Sequence, residues 1–208
     1  MRGFTFLFGI VLVLAGPARV QADDIEAPGR KLAAFLDGMQ VDKLWLSGRY
    51  VNWKTGEALS KPVTDGKPHT HCSAFAAAAC ERLGIYILRP PEHSETLLAN
   101  AQFDWLAGEG HKHGWTPVKT AREAQALANK GMLVVATFKS PDPKKSGHIA
   151  IVRPSAKSAE AIAREGPQVI QAGLHNHISA SLKTGFGSHP EAWSKGEVRY
   201  YAHAVKLE

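Results

Sequence analysis

Helix-type patterns occupy four stretches of the first 130 residues. Apolar side chains collect on one face of two of these stretches, and strong helix formers fill the other two. Thr70 and Ser94 stand at two starts as predicted N-cap residues, and Gly84 and Gly131 stand at two ends as stop signals. The patterns predict helices over residues 31–39, 72–83, 94–106 and 120–130.

Strand-type patterns dominate the second half of the chain. Residues 132–138 are continuously apolar, which is typical of a buried central strand, and residues 148–152 alternate between two faces. Residues 44–53 also alternate and predict a strand or an extended arm. Further strands are expected at 168–172 and 198–205, with a polar excursion at 155–167 and loops at 173–197. Because the helices come first, we expect an α+β domain with N-terminal helices packed on a small antiparallel sheet.

The chain begins with the pattern of a secretory signal peptide. Residues 1–22 contain a basic start, an apolar run of twelve residues and a small-x-small ending at Ala22. The apolar run is too short to span a bilayer. We therefore expect cleavage after Ala22, one mature domain over residues 23–208, a secreted or periplasmic location and no stable membrane insertion afterwards.

Charge and size exclude some classes of partner. The full chain carries a net charge of +6, and the loss of Arg2 and Arg19 with the leader leaves +4. No block of lysine and arginine forms a stripe for nucleic acid, so no nucleic-acid partner is expected. The 186 remaining residues suffice for one core, and we expect a monomer.

The two cysteines indicate a reactive thiol rather than a disulfide. Cys72 and Cys80 lie eight positions apart on one predicted helix, which separates them by roughly 12 Å. A disulfide needs Cα atoms within about 7 Å. Cys72 falls in the first helical turn, where free N–H groups and the helix dipole favour a thiolate, so we predict a lowered pKa for it. Cys80 lies on the apolar face and is predicted to be a core residue.

A histidine at the start of a later strand is the candidate base for this thiol. His148 opens residues 148–152, and the small Ala150 on the same face leaves room for a helix to lie there. A third group must fix the imidazole tautomer. The candidates lie at the end of the next strand and just beyond it: Gln171, His175 and Asn176.

Four elements of this arrangement occur in a characteristic order. A tyrosine precedes a loop, a Cys-Ser pair starts a helix, Gly-His starts a strand, and a polar residue lies on the following strand. They are Tyr50, residues 71–75 (His-Cys-Ser-Ala-Phe), Gly147-His148 and Gln171. Over residues 50–175 the chain resembles the papain-fold cell-wall peptidases of the NlpC type, and more loosely the CHAP amidases. The resemblance implies a papain-like fold and cofactor-free hydrolysis of amide bonds in peptidoglycan peptides.

The resemblance also implies roles for single residues. Cys72 would be the nucleophile, His148 the base and later the acid, and Gln171 the residue that orients His148. Gln171 stands where the family more often has histidine, and its amide oxygen can accept the imidazole N–H.

On the substrate side, the resemblance implies that the backbone N–H of Cys72, with Tyr50, stabilises the oxyanion. Ser73, His71 and Asn176 are candidate neighbours of the substrate. His71 occupies the position of a family aspartate that often meets the substrate's amino group.

Two other interpretations remain open. A papain-like domain could bind wall peptides or a partner without cleaving them. Alternatively, a periplasmic metal-binding protein could use His-x-His pairs, since such a pair on a strand can chelate Zn²⁺. We expect the pairs to lie in loops, and no His-Glu-x-x-His motif accompanies them, so no functional metal is expected. The pairs are His69/His71, His111/His113 and His175/His177.

Overall fold

The computed structural model describes residues 24–207, in which seven α-helices surround one six-stranded antiparallel sheet. The helices are α1 (Ala27–Gly38), α2 (Cys72–Arg82), α3 (Leu98–Gly108), α4 (Ala121–Asn129), α5 (Ala159–Glu165), α6 (Leu182–Gly185) and α7 (Pro190–Ser194). The strands are β1 (Thr116–Val118), β2 (Leu133–Phe138), β3 (His148–Val152), β4 (Gln168–Gln171), β5 (His177–Ser181) and β6 (Arg199–His203). They lie in the order β1-β6-β2-β3-β4-β5. The predicted α+β class and antiparallel sheet are confirmed, while the predicted leader lies outside the described residues.

Helix α2 forms the centre of one core layer. Its alanines and Cys80 are almost completely buried, and their small size lets the helix approach Ile149 and Ile151 of β3 closely. The helix ends before Gly84, which adopts φ +68°, so the predicted stop is confirmed. The predicted N-cap is wrong, because His71 rather than Thr70 caps α2, without a side-chain capping bond. No helix within residues 24–207 is long and apolar enough to cross a membrane.

The opposite face of the sheet is covered by α4, α6 and α7. Ala150 and Val152 of β3 pack there with Leu182 and Phe186. The helices on the face of Ala150 are α4 and α6, whereas α2 packs on the other face. Side chains alternate along β3, so the residues facing α2 are the isoleucines between those positions.

The segment over residues 44–53 forms an arm rather than a strand. Its only ladder contact within the described chain is a single bridge between Val51 and Ala58. Trp45 is fully buried, its indole N–H donates to the Trp53 carbonyl at 3.0 Å, and its ring meets Phe75 of α2 edge-on. Aromatic burial rather than strand pairing therefore holds the arm on the domain.

Other boundaries differ from the predictions for local reasons. Helix α3 starts at Leu98, because the Ser94 hydroxyl accepts a hydrogen bond from the Thr96 amide and closes a turn instead. The segments expected to be polar excursion or loop contain α5, β5, α6 and α7. Helices α5 and α6 begin at Ser158 and Ser181, whose side chains cap them.

Candidate active site

The loop before His148 is held by a buried side chain from another element. Asn100 of α3 accepts hydrogen bonds at Oδ1 from the amides of Gly147, at 2.7 Å, and Ser140, at 3.2 Å. Its Nδ2 donates to the Lys145 carbonyl at 2.9 Å. One amide side chain thus closes the β2–β3 loop at both ends and fixes the backbone from which the His148 side chain extends.

His148 lies in an apolar environment at the start of β3. Its ring meets Phe186 edge-on, with centroids 4.7 Å apart, and stacks on His189 at 5.9 Å. Burial, and next the neighbouring His189, lower the pKa of His148 to about 3, while Gln171 opposes the shift. The imidazole is therefore neutral at ordinary pH and is a weaker base than a solvent-exposed imidazole.

Gln171, one of the three candidates for the third member, lies next to His148. Its Nε2 donates to the His175 carbonyl at 2.7 Å, so His175 holds Gln171 through its backbone. Oε1 of Gln171 and Nε2 of His148 are both buried, and neither makes a hydrogen bond of ordinary geometry within residues 24–207. Gly173 makes room for the amide, because a Cβ there would lie 2.7 Å from Oε1.

Cys72 is the first residue of α2, but its environment differs from the expectation. The residue is only 5% exposed, and burial raises the pKa of its thiol. The backbone N–H groups of Ile149, first, and Ser73 oppose this rise. The predicted lowering of the Cys72 pKa is wrong, because desolvation outweighs the helix terminus.

The thiol and the candidate base have different neighbours: Cys72 lies beside the backbone of β3, whereas the His148 ring packs against Phe186 and His189 in the layer on the other face of the sheet. Ile149, whose amide lies beside the Cys72 sulfur, directly follows His148. Within the described residues no hydrogen bond joins the thiol to the His148 ring. Cys80 is fully buried, as predicted, and burial raises its pKa to about 12. Both cysteines are free.

A cleft of about 310 Å³ opens beside His148 and Gln171. Thr70, two residues before Cys72, lines it, whereas Cys72 is not among the lining residues. The cleft contains four histidines: His148, His175, His177 and His189. Sequence reasoning missed His189, because it lies in a segment expected to be loop and reaches His148 only through the packing of α6 and α7.

Two of the predicted substrate-side residues make their contacts outside the cleft lining. The centroid of the Tyr50 ring lies 4.4 Å from that of the His69 ring. The Lys61 ammonium lies 4.4 Å from the centroid of the same Tyr50 ring. His71 is buried, donates from Nε2 to the Arg49 carbonyl at 2.9 Å, and has its pKa lowered by that burial. His71 thus ties the loop before α2 to the arm.

The other two are also engaged with backbone. Ser73 is buried in α2, and its carbonyl accepts from Nε2 of Gln102 at 3.2 Å. Asn176 donates from Nδ2 to the carbonyls of Val41, at 2.6 Å, and Leu44, at 2.9 Å. Asn176 therefore anchors the arm against the β4–β5 turn.

The His-x-His pairs do not converge on a metal site in the structure. Within residues 24–207 no group of three or more His, Cys, Asp or Glu side chains is arranged to hold a metal ion. The prediction that every pair lies in a loop is wrong, since His111 and His113 belong to a 3-10 turn and His177 opens β5.

Comparison with known proteins assigns no family to the chain. No protein-family model matches it, and a search of curated proteins finds no match to its sequence.

Proposed function

We propose that the protein is an exported, papain-like cysteine hydrolase that cleaves an amide bond in peptidoglycan peptides. The observation that carries this proposal is the position of Cys72 at the start of the buried helix α2. Its sulfur lies beside the amide of Ile149, the residue that follows His148. Gln171 lies against His148 in a cleft large enough for a small ligand.

The chemistry begins from a neutral pair, because burial raises the pKa of Cys72 and lowers that of His148. His148 takes the thiol proton as the sulfur attacks the substrate carbonyl, which forms the C–S bond and an oxyanion. The backbone N–H of Cys72 at the helix start stabilises that oxyanion.

The second half of the reaction regenerates the enzyme. The His148 imidazolium gives its proton to the leaving nitrogen as the C–N bond breaks, and a thioester remains on Cys72. His148 then takes a proton from water, which attacks the thioester. As the C–S bond breaks, the imidazolium returns that proton to the leaving thiolate, and the product acid loses its own proton to solvent. Gln171 keeps the imidazole oriented through both steps.

Two features support the substrate and the fold. The leader pattern over residues 1–22 supports export to the compartment that holds peptidoglycan. A cysteine-bearing helix packed across an antiparallel sheet, with histidine opening a strand, agrees with the papain-like architecture that the motifs imply.

A second candidate is a domain that binds wall peptides in the same cleft without cleaving them. The burial of Cys72 and its absence from the cleft lining favour it. The two functions differ in the effect expected of Cys72→Ala. If the protein is an enzyme, the substitution abolishes cleavage. If the protein only binds, it cleaves nothing to begin with and its affinity is unchanged by the substitution.

Digestion of purified peptidoglycan tests the proposal. The wild-type protein and Cys80→Ala, the matched control, should release fragments with new amino and carboxyl termini, identified by mass spectrometry. Cys72→Ala should release none. Fragment release by Cys72→Ala, or none by the wild type while the protein still binds peptidoglycan, would contradict the proposal.

A further inference from the structure

The cleft beside His148 contains no permanently charged side chain. Its lining consists of glycine, hydroxyl, amide, apolar and imidazole groups, and no Asp, Glu, Lys or Arg of the described chain is among them. The only titratable groups of the lining are its four imidazoles. The charge of the cleft therefore depends entirely on whether those histidines carry a proton.

The surroundings of these histidines favour their neutral forms. His189 is stacked on His148, and burial lowers its pKa although the Glu191 carboxylate, 3.9 Å from Nδ1, opposes the shift. Burial, followed by the neighbouring His175, lowers the pKa of His177. At neutral pH, His148, His177 and His189 are therefore uncharged.

We infer that the cleft selects a substrate segment that is uncharged next to the scissile bond, so that an amidated stem peptide is preferred over one with a free carboxylate. This inference rests on the proposed function. A carboxylate entering the cleft loses water and meets no cation in return. A primary amide in the same place both donates and accepts, and imidazole and hydroxyl groups can satisfy it.

Two matched peptides test the inference separately from catalysis. Both are N-acetyl-L-alanyl-γ-D-glutamyl-L-alaninamide; in one the α-carboxylate of D-glutamate is free and in the other it is amidated. Calorimetric titration of Cys72→Ala at pH 7.5 should give a Kd at least about tenfold lower for the amidated peptide. Equal affinities, tighter binding of the free carboxylate, or no binding of either peptide would overturn the inference. Cleavage by the wild type, followed in parallel, reports on the proposed function alone.

A charge placed in the cleft should reverse the preference. His189→Lys in the Cys72→Ala background adds a permanent cation beside His148 and should make the free-carboxylate peptide the tighter ligand. His111→Lys adds the same charge at an exposed position outside the cleft and should leave the preference unchanged. An unchanged preference in His189→Lys, or the same reversal in both variants, would overturn the inference.

Acidification provides an independent measurement on the unmodified cleft. As the pH falls, His177 and His189 become cationic, so the affinity for the free-carboxylate peptide should rise relative to the amidated one. The Glu191 carboxylate favours protonation of His189, whereas a proton on the neighbouring His148 opposes it. The neighbouring His175 opposes protonation of His177. A preference for the amidated peptide that is independent of pH would mean that the imidazoles do not set it.

Discussion

Replacing Asn100 by alanine should both destabilise the protein and disturb the site. The substitution removes the acceptor of two buried backbone amides, Gly147 and Ser140, and the donor to the Lys145 carbonyl. Each buried donor left without a partner costs about 1–3 kcal/mol, so the free energy of unfolding should fall by about 2–4 kcal/mol after partial relaxation of the loop. Turnover should fall as well, because the backbone before His148 is no longer held.

Urea unfolding measures this loss as a lower midpoint with an unchanged slope. The matched control is Asn52→Ala, since Asn52 is exposed and its Oδ1 also accepts from two amides, those of Lys54 and Thr55. Water replaces that acceptor, so Asn52→Ala should cost only about 0.5–1 kcal/mol. If Asn100→Ala costs no more than Asn52→Ala, the side chain of Asn100 does not position the loop.

Three further predictions concern the site. Gly173→Ala should lower turnover, measured with peptidoglycan fragments, because the added Cβ would lie 2.7 Å from Oε1 of Gln171 and displace it. Iodoacetamide should label Cys72 slowly at neutral pH and faster as the pH rises. Cys80, with its pKa of about 12, should stay unlabelled until the chain is denatured. Mass spectrometry of the labelled peptides distinguishes the two cysteines. Because the pKa of His148 is about 3 in the folded state and about 6.5 in the unfolded chain, only the unfolded state takes up this proton between those values. Stability should therefore fall as the pH falls from 6.5 towards 3, by roughly 1.4 kcal/mol per unit from this residue. His148→Gln should show a correspondingly flatter pH dependence in urea unfolding, and an identical slope would refute the burial argument.

The elements predicted correctly from sequence are those with strong local signals. The alanine run that ends at Gly84 specifies α2, and the continuous apolar run specifies β2, since burial on both faces leaves no polar position in it. Strand periodicity named Gln171 as one of three candidates for the partner of His148, and the motif resemblance singled it out; the strand register places both residues on the same face of adjacent strands.

The features that sequence reasoning missed depend on tertiary packing. The pKa of Cys72 depends on the residues that bury the start of α2. The position of Cys72 at a helix terminus does not reveal that burial. His189 reaches His148 only after α6 and α7 fold back over the sheet. Asn176 was a candidate for substrate contact, yet its partners are carbonyl groups more than 130 residues earlier in the chain.

The most direct test of the central claim is a double-mutant cycle on Cys72 and His148. Turnover of a soluble stem-peptide fragment is measured for the wild type, Cys72→Ala, His148→Ala and the double variant. If the thiol and the imidazole act as one unit, both single variants should fall to a similar floor and the double variant should be no slower. Losses that multiply, or turnover that survives in Cys72→Ala, would contradict the assignment of these two residues as nucleophile and base.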